Sequence, residues 1–156
     1  MVVPSGWSKE AEPYGLSDSE KKVYGADFLG PVSGAIPARI SVKYYAPGNL
    51  LHKTHEKFIK QHSKSALGVN LTGKTYGKVM QGRAGNHYAK VFERKTFDHS
   101  EVRSINPKKT PIYEKFFVVP VKKGFYVLRY SAPMDLAKAN LKYYEALVAS
   151  FKPLTR

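Results

Sequence analysis

Apolar and polar residues alternate with a period of two along several stretches of this chain. They recur with a helical period in two others. Over residues 22–29, KVYGADFL, Tyr24, Ala26 and Phe28 share one side, which predicts a strand broken by Gly30-Pro31 and Gly34. Over 38–46, Ile40, Val42 and Tyr44 face one way and Arg39, Ser41 and Lys43 the other; Pro47-Gly48-Asn49 ends the run. Residues 51–66, LHKTHEKFIKQHSKSA, follow a 100° repeat instead. Leu51, His55, Phe58, Ile59, His62 and Ala66 share a face, Lys53, Lys57, Lys60 and Lys64 lie opposite, and Gly68 is placed to cap the end.

Strands are expected next over 75–81 and 87–97, joined by a hairpin loop at 82–86. A polar loop follows over 98–111, then strands 112–121 and 125–130 around the turn Lys122-Lys123-Gly124. A second helix is expected from about Pro133 to Phe151, with Leu136, Ala137, Leu141, Tyr144, Leu147, Val148 and Phe151 as its apolar stripe and Pro153 as its stop. Residues 8–20 read as a polar loop. Successive hairpins argue for a mainly antiparallel sheet, and two one-sided amphipathic helices must cover it. The order therefore reads as an α+β fold in a single domain, 1–156, with no internal repeat.

Size and composition agree: the chain has 156 residues, 42% hydrophobic and 13% aromatic, enough for a core without staples. It has no cysteine, which excludes disulfides, thiol catalysis and cysteine-based zinc sites. Lys plus Arg number 26 against 12 acidic residues, a net charge of +14 that attracts polyanions. Charge alone gives weak, salt-sensitive association, so nucleic-acid binding stands as an alternative rather than the first reading. No apolar run reaches the length of a membrane span.

Gly68 to Thr75 match G-x-x-x-x-G-K-[ST], the phosphate-loop spacing. Such a loop works when a strand feeds it and a helix follows, aiming its positive end at the phosphates. Here the predicted helix precedes the motif. The residues after Thr75, with Gly77, Gly82 and Gly85, carry no helical stripe. A nucleotide-binding enzyme acting through Gly68–Thr75 is kept as an alternative only. His55 and His62 lie two turns apart on the core-facing stripe, where hydrogen-bonded imidazoles are commoner than metal ligands, and no H-E-x-x-H spacing occurs. Asp98, His99 and Ser100 are neighbours in sequence, whereas a catalytic triad is a neighbourhood in space. No residue is marked out for catalysis, for a metal or for a cofactor. Strand aromatics such as Tyr44, Tyr45, Tyr113, Phe116, Phe117, Tyr126 and Tyr130 read as core packing. The stripe Lys53, Lys57, Lys60 and Lys64 is the most specific surface feature: an ordinary solvated face, or a docking face for an anionic partner.

Two ends of the chain carry a family resemblance. Pro4-Ser5-Gly6-Trp7 resembles the P-x-G-W turn after the first strand of PsbP-like domains. Phe125 to Pro133, with the amphipathic helix closing on Ser150-Phe151-Lys152, is similar to their last strand and helix. The resemblance implies an α/β/α sandwich and a non-enzymatic binding or assembly role of unknown partner, in a protein exported to the periplasm or cell envelope. It also implies that this chain is a mature or trimmed form of a longer precursor, which in some relatives carries a lipid anchor. The photosynthetic role of the namesake is not carried over, because the extended N-terminal segment has no evident counterpart here.

Overall fold

The computed structural model describes residues 6–9, 21–33, 36–63, 75–98 and 110–153. Strands β1 (Ser8–Lys9), β2 (Val23–Ser33) and β3 (Ile36–Tyr45) come first, then helix α1 (His55–His62). Strands β4 (Thr75–Tyr76), β5 (Met80–Ala84), β6 (His87–Asp98), β7 (Thr110–Pro120) and β8 (Phe125–Pro133) follow, and α2 (Met134–Ala149) comes last. They form an eight-stranded sheet in the order β1-β2-β3-β8-β7-β6-β4, with β5 also paired to β6. Every pairing is antiparallel.

Adjacent residues of β7 show that the helices lie on opposite faces. The Phe116 ring lies 6.2 Å from Phe58 of α1, whereas the Phe117 ring lies 6.0 Å from Tyr144 of α2. Since strand side chains alternate, one layer must sit above the sheet and one below. The expected sandwich is thus the fold, with a separate core on each side. The α2 core gathers Phe28, Ile40, Leu128, Tyr130, Tyr144 and Phe151; the α1 core gathers Tyr45, Phe58, Ile59, Phe92, Phe116, Val118 and Phe125. Two buried phenols tie α2 down: Tyr144 donates to the Leu128 carbonyl at 2.5 Å and Tyr130 to the Ala137 carbonyl at 2.8 Å. Buried hydroxyls without such partners would cost stability, so these bonds fix the helix along its axis and in rotation.

Several boundaries differ from the sequence pattern; besides shifts of two or three residues at the start of β3 and β7 and the end of β8, the larger ones have local causes. The first helix is shorter than 51–66 and begins at His55, capped by Thr54, whose Oγ1 accepts from the Lys57 amide at 3.2 Å. Ahead of it, buried Asn49 accepts from the Leu51 and His52 amides at 3.0 and 2.7 Å, offering the backbone a non-helical alternative. Leu51 consequently stands 54% exposed rather than on the core stripe. Residues 64–74, including Ala66 and Gly68, lie outside the described residues.

The first strand does not stop at Gly30-Pro31; it continues to Ser33 through a register shift between Leu29 and Val32. Ser8–Lys9, expected as loop, form a strand beside β2, anchored by buried Trp7 against Gly30 and Tyr143. Two residues are too few for a period to show. Finally, the stretch 75–81 is split into β4 and β5, and the hairpin turn is the pair Gly85-Asn86 rather than 82–86.

Candidate functional site

Lys57 and Lys60 lie in α1 and are exposed, opposite the buried pair Phe58 and Ile59. Lys53 is also exposed but lies ahead of the helix, before its cap residue. Lys64 lies outside the described residues. The helical stripe of the sequence is therefore two lysines within α1 and a third in the approach to it.

Beneath α1 the histidines do packing work. The His62 ring stacks on Phe58 at 4.0 Å and donates from Nδ1 to the Phe58 carbonyl at 2.9 Å. His52, outside the helix, packs edge-on to Phe58 at 5.0 Å and lies 5.3 Å from His62. Burial is the main cause that pulls the His62 imidazole down from 6.5 to about 4, aided by Arg94, His52 and Arg129 and opposed by its bond to Phe58. Its native state is thus the neutral ring. The unfolded chain takes up a proton near 6.5 while the folded one resists until about 4, so stability is full above 6.5 and lost as pH falls toward 4. We expect His62→Phe to flatten that part of the melting-temperature profile. The gap between the two proteins should change over this window and stay constant above it; a gap constant throughout would count against the assignment.

Beyond α1 the same sheet face carries a row of charged side chains drawn from β2, β3, β6, β7 and β8. Glu114 of β7, 5% exposed, lies between two guanidiniums. Arg94 of β6 reaches its Oε2 with Nη2 at 2.8 Å and Nε at 2.9 Å, and Arg129 of β8 reaches the same oxygen at 2.9 Å. Thr96 donates to Oε1 at 3.4 Å. Both guanidiniums lie over the Phe116 ring, at 5.1 and 5.2 Å. The Arg94 Nη1 also donates to the His62 carbonyl at 3.3 Å, so a cation meets the negative end of α1. Further along the row, Ser41 donates to Asp27, whose other oxygen lies 3.2 Å from the Lys43 ammonium. The Arg129 Nε is buried with no hydrogen-bond partner among the described groups.

No family model matches the chain. No curated protein matches it either. Among solved structures the chain is similar to LpqN of Mycobacterium tuberculosis, described as involved in cell envelope biogenesis. The match has a TM-score of 0.50 at 16% identity and covers 99% of this chain and 82% of LpqN. A likeness at that identity is one of fold alone.

Of the phosphate-loop segment, only Thr75 falls within the described residues. It opens strand β4, paired to Lys95, where a phosphate loop would need the start of a helix. Across the sheet, a shallow cleft of about 180 Å³ opens at the β4 edge, lined by Tyr76, Gly77, Glu93, Arg94, Lys95 and Tyr113. Among the described residues no helix is long and apolar enough to cross a membrane. Nor do three metal-ligating side chains come together there. Sequence reasoning missed the Arg94–Glu114–Arg129 group. The one available signal was an acid at an inward-facing position of β7, between Ile112 and Phe116.

Proposed function

We propose that this chain is a non-enzymatic binding or assembly domain of the cell envelope, exported and built on a PsbP-like frame, with an anionic partner met by the α1 face. The disposition of charge carries this reading. On that face, Glu114 is bound by two arginines and Asp27 by Lys43 and Ser41, while Lys53, Lys57 and Lys60 are exposed. Groups already committed to one another hold the scaffold, and the exposed lysines are available for docking. The envelope setting is supported by the description of LpqN as involved in cell envelope biogenesis, and the frame by the P-x-G-W turn and the closing strand and helix. Trp7 of that turn is buried against Gly30.

The test is capture from an envelope extract on immobilised chain, in low and high salt. We expect a partner that is retained in low salt and released in high salt. Lys53→Glu, Lys57→Glu, Lys60→Glu and Lys64→Glu combined should abolish its capture. A partner captured equally by the four-lysine variant removes the stripe from the binding role.

A further inference from the structure

One end of the sheet presents exposed apolar side chains close to several lysines. The turn after β3 places Leu50 and Leu51 outward, 64% and 54% exposed, while His52 turns inward against Tyr45 and Phe58. Two leucines exposed in adjacent positions form a small apolar patch whose burial against a partner is favourable. They are not on a loose loop. Asn49, 7% exposed, donates to the Ala46 carbonyl at 2.9 Å and accepts from both following amides. The Leu50 amide donates to the Lys21 carbonyl at 3.1 Å, and the Ala46 amide to the Lys22 carbonyl at 3.0 Å.

Those same bonds bring Lys21 and Lys22 beside the leucines. The β7–β8 turn, with exposed Lys122 and Lys123, abuts from the other side: the Tyr44 hydroxyl donates to the Lys123 carbonyl at 2.5 Å. Tyr24, 43% exposed, stacks on Tyr44 at this end and adds an amphipathic ring. Lys53, two residues after Leu51, is exposed as well. Of the acids, Glu56 follows Lys53 by three residues and is exposed, 3.3 Å from His55, and Glu20 precedes Lys21 in the sequence.

We propose that this end docks on an anionic lipid bilayer, Leu50 and Leu51 entering the interface while Lys21, Lys22, Lys53, Lys122 and Lys123 contact the headgroups. The chemistry fits that occupant. Short apolar side chains at the tip of a rigid turn gain by leaving water. The flexible lysine stems around them keep their ammonium groups at headgroup level. Juxtamembrane lysines are attracted to an anionic leaflet and lose that attraction with salt. This surface differs from the α1 stripe except at Lys53, and its test leaves the stripe intact.

The experiment is co-sedimentation with vesicles of phosphatidylglycerol mixed equally with phosphatidylcholine, against phosphatidylcholine alone. Wild type should bind the anionic vesicles and not the neutral ones. Lys122→Gln with Lys123→Gln should weaken binding by about fivefold for each lysine neutralised, and Lys122→Glu with Lys123→Glu by more. Lys78→Glu with Lys95→Glu, the same change in net charge near the β4 edge, should weaken it far less. Leu50→Ala with Leu51→Ala should lower binding about tenfold with the charge unchanged.

A Leu51→Trp reporter should shift its emission to the blue on adding anionic vesicles. Equal effects of the two lysine pairs, leucine variants that bind as wild type, or an unshifted reporter would each overturn the proposal. Capture of an acidic protein through Leu50 and Leu51 without vesicle binding would overturn it too, because it would reassign the surface to a protein partner. Failure of the α1 stripe to capture a partner leaves these readouts unaffected.

Discussion

Glu114→Ala should lower the unfolding free energy by about 3–5 kcal/mol, because it strands two guanidiniums on a face built around their shared carboxylate. We expect the lower part of that range. Arg129 is 38% exposed and can hydrate, whereas Arg94 is only 17% exposed. In a chain of 156 residues this corresponds to a fall of roughly 10 °C in melting temperature. Removing the whole group should behave differently. The triple variant Arg94→Met, Glu114→Leu and Arg129→Met leaves no unpaired charge and adds apolar contact to Phe116, so it should recover most of the loss. Urea unfolding of both variants checks this. If Glu114→Ala lies within about 1 kcal/mol of wild type, the group is too well hydrated to act as a buried pair.

Gly25→Ala is the second large effect. Gly25 has φ +155°, and a Cβ built there would overlap the carbonyl oxygen of Val42 on the neighbouring strand. The obstacle is backbone, not the end of a flexible side chain, so no rotamer change relieves it. β2 would have to draw away from β3 around the Gly25–Lys43 and Ala26–Val42 pairs, breaking ladder bonds in a sheet that also carries β1. We expect a loss of about 3 kcal/mol or more. Trp7, the only tryptophan, is buried at the β1–β2 edge and reports on that edge directly. Its emission should shift to the red and the urea midpoint should fall. An unchanged midpoint would mean that the two strands can separate locally at little cost.

The strands were legible where burial alternates with the pleat, as over Ile112–Val118 of β7; β8, buried at every residue from Phe125 to Leu128, was legible from its apolar run between turns. The second helix was legible to within two residues at its ends, since Ala137, Tyr144, Leu147 and Val148 keep a helical period and are buried. The first helix was overextended because a 100° repeat cannot see Asn49, whose side chain binds the amides that a longer helix would have used. The lysine stripe was legible as exposure, and less so as geometry, for Lys53 stands before the helix rather than on it. The Arg94–Glu114–Arg129 group was invisible for a different reason. Its members are 20 and 15 residues from the acid, on three strands, and only their register brings them together.

The two helical layers are fastened unequally. α2 spans 16 residues, with one phenol from the sheet bonded to its backbone and one of its own bonded back to β8. α1 spans 8 residues and lowers two buried side chains, Phe58 and Ile59, onto the sheet. Opening free energy is graded accordingly. Among the described residues, the amides of α1 should therefore exchange with solvent sooner than those of α2 and of the central strands, so the side of the sheet that holds Phe116 and its two guanidiniums is the less protected of the two.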